Sequence, residues 1–315
     1  MKVLISGGFG LIAGRLAELF SNSGHEVWLA SRTLKTKVNS LSKIHLIKIN
    51  WDDEANLKRV CMGMDIIIHA AGMNAQDCSI NPPEALYFNG VATSRFVNAA
   101  VSQSVKKFIY ISTAHVYSAD LNGHISEKSC STNLHPYATS HRSGEDAVLF
   151  ANQQGKIQGI VTRLSNSFGY PISVETNCWS LLINDLCRQA IELGALSLKT
   201  YGVQHRDFIS LKEVCKAILF LTEAKINDGH LPLFNLGSGK STAIIDICNL
   251  VQNRCIQILG YKPEIVRPHG DKMEEFKTLI YCNENLSQLG YSISDNTSFE
   301  IDELLRYCVV NFKSK

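Results

Sequence analysis

Over roughly its first half, the chain alternates short apolar runs with amphipathic stretches. Lys2–Ser6, Glu26–Ala30, Ile44–Ile49, Asp65–His69, Lys107–Ser112 and Gly159–Leu164 have strand length. The unbroken cores Ile66-Ile67-Ile68 and Phe108-Ile109-Tyr110-Ile111 suit strands covered on both faces. Helical spacing fills the gaps at Arg15–Phe20, Pro83–Ser104 and Tyr137–Asn152. Strands separated by crossover helices predict an α/β fold, a Rossmann-type doubly wound parallel sheet. After Pro171 the pattern loosens into helices at Trp179–Glu192 and Leu211–Ala224 among short strands, which predicts a smaller C-terminal substrate-binding domain. The expected division is 1–166 for the Rossmann, NAD(P)-binding domain, with later strands from about 202–236 interleaved, and 167–201 plus 237–315 for the substrate-binding domain.

Composition narrows the partners. Among 315 residues, 31 Lys and Arg oppose 29 Asp and Glu, so no field favours nucleic acid or an anionic membrane as main partner. No apolar run reaches the roughly 18 residues that span a bilayer, and the chain opens on a core strand, so a cytoplasmic protein is expected. Ten cysteines are scattered without a Cys-x-x-Cys, which predicts neither a disulfide framework nor a metal cage.

The first candidate chemistry lies in Val3-Leu4-Ile5-Ser6-Gly7-Gly8-Phe9-Gly10-Leu11-Ile12-Ala13-Gly14, where a strand meets a glycine turn and then a helix. Gly7 permits a tight turn, Gly10 lets backbone approach a phosphate, and Ala13 lets helix pack on strand. Helix N–H groups then face an anion, so the segment from Gly7 through Phe9, Gly10, Leu11 and Ile12 predicts a dinucleotide seat. The second strand ends at Ala30-Ser31-Arg32 rather than at an acid. A hydroxyl followed by a guanidinium suits a ribose 2′-phosphate, which predicts NADP(H), with NAD as the alternative. Arg32 pointing into solvent, with Lys35 and Lys37 as a solvated loop face, is the plainer reading. Gly237-Ser238-Gly239-Lys240-Ser241-Thr242 ends like an ATP phosphate loop, but its required first glycine is Phe234.

Further motifs accompany the glycine loop: Asp65 to His69-Ala70-Ala71, Asn89 to Thr93, Tyr110 to Tyr117, and Pro136-Tyr137-Ala138-Thr139-Ser140-His141 with Glu145. By these the chain resembles, nearly end to end, the extended short-chain dehydrogenase/reductase family, in its NAD(P)-dependent nucleotide-sugar epimerase/dehydratase branch. The resemblance implies cofactor contacts at Asn50, Trp51, Ala70, Ala71 and Asn89, a catalytic hydroxyl at Thr113 and a catalytic phenol at Tyr137. It also implies a nucleotide-sugar substrate, its diphosphate held by Asn166, Arg206 and Arg267 (from Arg267-Pro268-His269-Gly270-Asp271), and a homodimer seam built from 83–104 and 137–152.

One position departs from the family pattern. His141 stands where the Tyr-x-x-x-Lys lysine belongs, and a spacing of four puts it on the helical face of Tyr137. A lysine is a permanent cation that lowers the tyrosine pKa; a histidine is often neutral near pH 7. Tyr137 should then stay protonated and act as an acid, which favours reduction. Activity that declines as pH climbs through about 6.5 would mark a protonated His141; flat activity would mark a neutral donor. Where sugar dehydratases of the family carry an Asp-Glu pair, this chain has Ala114 and His115, which disfavours dehydration. His115 remains an acid/base candidate or a neutral strand-end histidine. The expected reaction is NADPH-dependent reduction of a keto-sugar nucleotide; a 4-epimerase with tightly bound NAD and a catalytically impaired binding protein are the alternatives.

Overall fold

The computed structural model describes residues 1–34, 43–226, 231–268 and 278–313. Lys35, Lys37 and His269-Gly270-Asp271 lie outside the described residues. The chain opens β1 (Lys2–Ser6), α1 (Leu11–Asn22), β2 (Glu26–Ser31), β3 (His45–Lys48), α2 (Glu54–Cys61), β4 (Ile66–His69), α3 (Ala75–Ile80) and α4 (Pro82–Ala85). A π-helical segment, Leu86–Ala92, leads into α5 (Thr93–Ser102), β5 (Lys107–Thr113), β6 (Gly123–Ile125), α6 (Pro136–Gln153), β7 (Gln158–Leu164) and β8 (Asn166–Phe168). There follow α7 (Leu182–Leu193), β9 (Ala195–Ser197), β10 (His205–Ser210), α8 (Leu211–Glu223), β11 (Leu233–Leu236), β12 (Ser241–Ala243) and α9 (Ile244–Leu259). The C-terminal part holds β13 (Glu264–Val266), β14 (Leu279–Tyr281), α10 (Glu284–Gln288) and α11 (Thr297–Phe312).

Seven parallel strands form the central sheet in the order β11-β7-β5-β4-β1-β2-β3. Alternation along each strand feeds two cores. Val3, Ile5, Ile68 and Ile109 face α1 and α8, while Leu4, Ile67, Phe108 and Tyr110 join Phe96 and Val148 on the opposite face. Chain order reverses between β1 and β4, where Ser6 lies opposite His69, and such a switch point opens a crevice beyond the strand ends. Within 202–236, β11 pairs with β7 in the large sheet, whereas β10 pairs with β8 and β12 in a three-stranded sheet. A third core of Leu186, Leu196, Val251, Ile301 and Leu304 ties α7, α9 and α11 together.

Four expected elements change most, the first being the Arg15–Phe20 helix, which lengthens to Leu11–Asn22. The third strand shrinks from Ile44–Ile49 to His45–Lys48. Pro83–Ser104 is not one α-helix: α4, the π-helical turn and α5 succeed one another, because an extra residue in a turn leaves no mark on apolar spacing. The Trp179–Glu192 helix starts at Leu182, since Leu181 is extended at φ −69° and ψ 133°. Trp179 belongs to tertiary packing, with its indole N–H donating to the Val174 carbonyl at 3.0 Å and its ring against Phe312.

Candidate active site

The glycine turn after β1 is shaped by space as well as by conformation. Gly7 has φ +107°, and a Cβ there would stand 2.8 Å from the Ala70 carbonyl oxygen. A Cβ on Gly10 would stand 3.0 Å from the Gly7 carbonyl oxygen. Gly10 also caps α1 without a side-chain acceptor, so the first amides of the helix face outward. Gly7, Gly8, Gly10, Ser31, Arg32 and Trp51 line a cavity of about 230 Å3 whose floor is Ala70, Ala71 and Gly72. Arg32 is exposed and its guanidinium lies 5.4 Å from the centre of the Phe88 ring. Trp51 is buried, edge-on to Phe88 at 5.5 Å. The glycine cradle, open helix end and aromatic wall fit a dinucleotide. Asn50 does not share that wall: it is exposed, and its carboxamide oxygen accepts from the Asp52 amide at 3.1 Å.

The same Ala70-Ala71-Gly72 floor continues into a second cavity, about 330 Å3, with Thr113, His115, Tyr137, His141 and Asn166 in its walls. The C-terminal end of β5 delivers Thr113, and the first turns of α6 deliver Tyr137 and His141. The Tyr137 and His141 rings meet edge to face at 4.7 Å. Burial pushes the Tyr137 phenol above its ordinary 10, and the Thr113 hydroxyl draws it partly back. Burial drives His141 down to about 4, so the imidazole is neutral at physiological pH. Beneath the pair, Glu145 accepts from Ser112 at 2.6 Å and from Arg163 through two bonds of 2.9 and 2.6 Å. That fully buried pair holds α6 on β5 and β7, and removing either partner would strand a charge.

His115 lines the cavity 6.5 Å, ring to ring, from Tyr137, and its backbone N–H donates to Thr113 Oγ1 at 3.2 Å. Burial lowers its pKa first, and the positive charge of Arg206 adds to the fall. Arg206 thus lies near His115. Asn166 donates to the Asp207 carbonyl at 2.9 Å. Arg267 is exposed just past β13, and no hydrogen bond or ion pair joins it to Asn166 or Arg206 among the described residues. Asn89 lies beneath the floor: its oxygen accepts from the Met73 amide at 2.9 Å and its nitrogen donates to Ser140 Oγ at 3.0 Å. Ile12 lines the second cavity; the Phe9 carbonyl accepts from the Thr176 hydroxyl at 3.0 Å, and Leu11 opens α1.

Sequence reasoning missed Gly8, Gly72, Phe88 and Tyr110. Gly8 has φ +54° and a Cβ there would lie 2.7 Å from Ser31 Oγ; a second glycine beside Gly7 was the available signal. Tyr110 reads as core in an apolar run, although a buried phenol needs a hydrogen-bond partner. It has one in His141 Nδ1, at 2.8 Å. Away from the crevice, Cys282 Sγ lies 3.0 Å from His124 Nε2, close to Glu284.

Comparison with known proteins bears on the fold and the family. A model of the NAD dependent epimerase/dehydratase family matches residues 3–237. Mouse dTDP-D-glucose 4,6-dehydratase is 30% identical over 208 residues, 64% of this chain and 53% of that protein, so the match spans about half of the relative. UDP-glucose 4-epimerase of Halalkalibacterium halodurans is 23% identical over 83% of this chain and 81% of its own. The solved UDP-N-acetylglucosamine 4-epimerase of Methanobrevibacter ruminantium M1 superposes with a TM-score of 0.83 at 21% identity, over 99% of each chain. No helix among the described residues is long and apolar enough to cross a membrane. With the glycine loop, the Ala70-Ala71 floor and Tyr137 all inside the matched region, the chain belongs to the NAD dependent epimerase/dehydratase family of enzymes.

Proposed function

We propose that this enzyme reduces a keto carbon of a nucleotide-linked sugar at the expense of NADPH, with Tyr137 as the proton donor. The observation that carries the reading is the neutral pair of Tyr137 and His141, which keeps the phenol protonated. The bound dinucleotide supplies the hydride. Thr113 polarises the substrate carbonyl oxygen, Tyr137 gives that oxygen its proton, and the His141 Nε2 edge holds ribose hydroxyls and the phenol. Ser31 and Arg32 receive the 2′-phosphate, and no carboxylate stands at that strand end to repel it. Residues 1–166 with β11 carry the cofactor, and the remainder shapes the sugar pocket, where Asn166, Arg206 and Arg267 meet the diphosphate.

The dehydratase named among the relatives is a poorer guide, since Ala114 and His115 occupy the places of the acid pair. A 4-epimerase with retained NAD is the second reading, favoured by the nearby acid/base candidate His115. It requires Tyr137 to begin as a base, which the raised pKa opposes. A protein that binds both ligands without turnover is the third.

Purified enzyme mixed with NADPH or NADH and 4-keto nucleotide sugars separates these readings. Consumption of NADPH in preference to NADH, reduced by about 10²- to 10⁴-fold in Tyr137→Phe, is the expected result. Turnover unaffected by Tyr137→Phe rejects the mechanism. Epimers interconverting without added cofactor would establish the second reading, and binding of both ligands with no product the third.

A further inference from the structure

We propose that Tyr110, backed by Thr93, His69 and Ser6, is a positioning residue that fixes the proton of the His141 imidazole on Nε2, the edge facing the cofactor crevice. Four polar side chains link the end of β1 to that imidazole through the buried sheet. Ser6 Oγ lies 2.6 Å from His69 Nδ1, and His69 Nε2 lies 2.9 Å from Thr93 Oγ1. Burial raises the Tyr110 phenol, and the neighbouring Thr93 hydroxyl draws it partly back. Tyr110 OH completes the line at 2.8 Å from His141 Nδ1. Every member is buried, between 0% and 5% exposed. The rings also stack, His69 on Tyr110 at 5.4 Å and Tyr110 on His141 at 5.9 Å.

A line of hydroxyls and imidazoles carries its protons in one of two directions, and the Ser6 end decides between them. His69 Nδ1 is the one partner of the Ser6 hydroxyl among the described residues. If Ser6 donates, His69 Nε2–H donates to Thr93, Thr93 to Tyr110, and Tyr110 to His141 Nδ1; each buried donor has an acceptor. In the reverse direction His69 Nδ1–H donates to Ser6, and the Ser6 proton is left buried without an acceptor, which folded interiors avoid. The forward direction leaves His141 Nδ1 bare and its proton on Nε2. That edge is open to the crevice: a Cβ placed on Gly72, in the cavity floor, would lie 3.5 Å from Nε2. The chain thereby replaces a lysine with a neutral donor of fixed direction, and it anchors that direction one residue before the phosphate-facing Gly7.

The inference rests on the proposed placement of His141 beside the cofactor, but its primary readout is the imidazole itself. Long-range proton–nitrogen correlation spectra of the whole protein at neutral pH, with His141 assigned by His141→Asn, report which ring nitrogen carries the proton. The expected wild-type result is a single species protonated on Nε2. In Tyr110→Phe the Nδ1 resonance should move to the position of a nitrogen without a hydrogen bond, and NADPH binding should weaken about tenfold, the equivalent of one hydrogen bond. Ser6→Ala, which leaves Tyr110 in place, should make the species protonated on Nδ1 detectable, and it keeps the inference testable if Tyr110→Phe fails to fold. A wild-type proton on Nδ1, or an Nδ1 resonance unmoved in Tyr110→Phe, overturns it. An Nε2-protonated His141 in a protein that reduces no keto-sugar upholds the inference while the proposed reaction falls.

Discussion

At residue 141 an ordinary protonation equilibrium is displaced, and the displacement reaches stability as well as chemistry. His141 falls from 6.5 to about 4 and His69 to about 3, both chiefly through burial. Below pH 6.5 the unfolded chain therefore takes up two protons that the folded chain refuses. The associated stability is complete above about pH 6.5 and is lost as pH falls toward 4 and then 3. Across their windows the sites contribute on the order of 3 kcal/mol for His141 and 5 kcal/mol for His69. The melting temperature should therefore drop as pH is lowered from 7 to 4.5, and His141→Asn should flatten part of that slope. A melting temperature constant over this range contradicts the placement of both histidines. The departure at 141 was legible in the sequence, because the spacing from Tyr137 is local. A neutral imidazole beside a protonated phenol was legible too; the depth of burial that lowers His141 and its hydrogen bond to Tyr110 were not, because both come from separate elements.

Helices α4 and α5 with the π-helical turn between them show how far element reading extends. Helical character over 83–104 follows from apolar spacing, and the structure keeps it over most of that range. What spacing hides is the wider turn at Leu86–Ala92 that carries Phe88 toward the cofactor cavity and Asn89 beneath its floor. Close packing against α6 depends on a residue that no periodicity flags: a Cβ on Gly144 would stand 2.6 Å from the Asn89 carbonyl oxygen and 2.8 Å from the Tyr110 hydroxyl. These helices also leave apolar side chains in water, Leu86 at 51%, Val91 at 44% and Phe150 at 60% exposure. We propose that this face joins two copies of the chain. Sedimentation should then show a dimer, shifted toward monomer in Phe150→Asp by loss of roughly 1.5–3 kcal/mol of burial per copy. A wild-type protein that sediments as a monomer at micromolar concentration contradicts the seam.

For the molecule as a whole, the sheet was the most legible feature, since buried parallel strands announce themselves as continuous apolar runs. The switch point between β1 and β4 then places the crevice without reference to any side chain. At the phosphate-loop lookalike, 237–242, the turn's donors are engaged by a buried carboxylate. The Asp207 carboxylate already accepts from the Ser238 amide and hydroxyl at 2.8 and 2.9 Å, and from Ser165 at 2.5 Å. Least legible was the proposed sugar end, where Arg206 and Arg267 come from distant segments and Arg206, not the exposed Arg267, acts on His115.

In the proposed reaction Tyr137 stays protonated beside a neutral partner. An ultraviolet titration of the tyrosinate band, taken as the difference between wild type and Tyr137→Phe with NADP+ present, reads that state directly. No Tyr137 phenolate is expected below its ordinary value of 10. A phenolate that forms near neutral pH would contradict it and return the enzyme to the base-first chemistry of an epimerase.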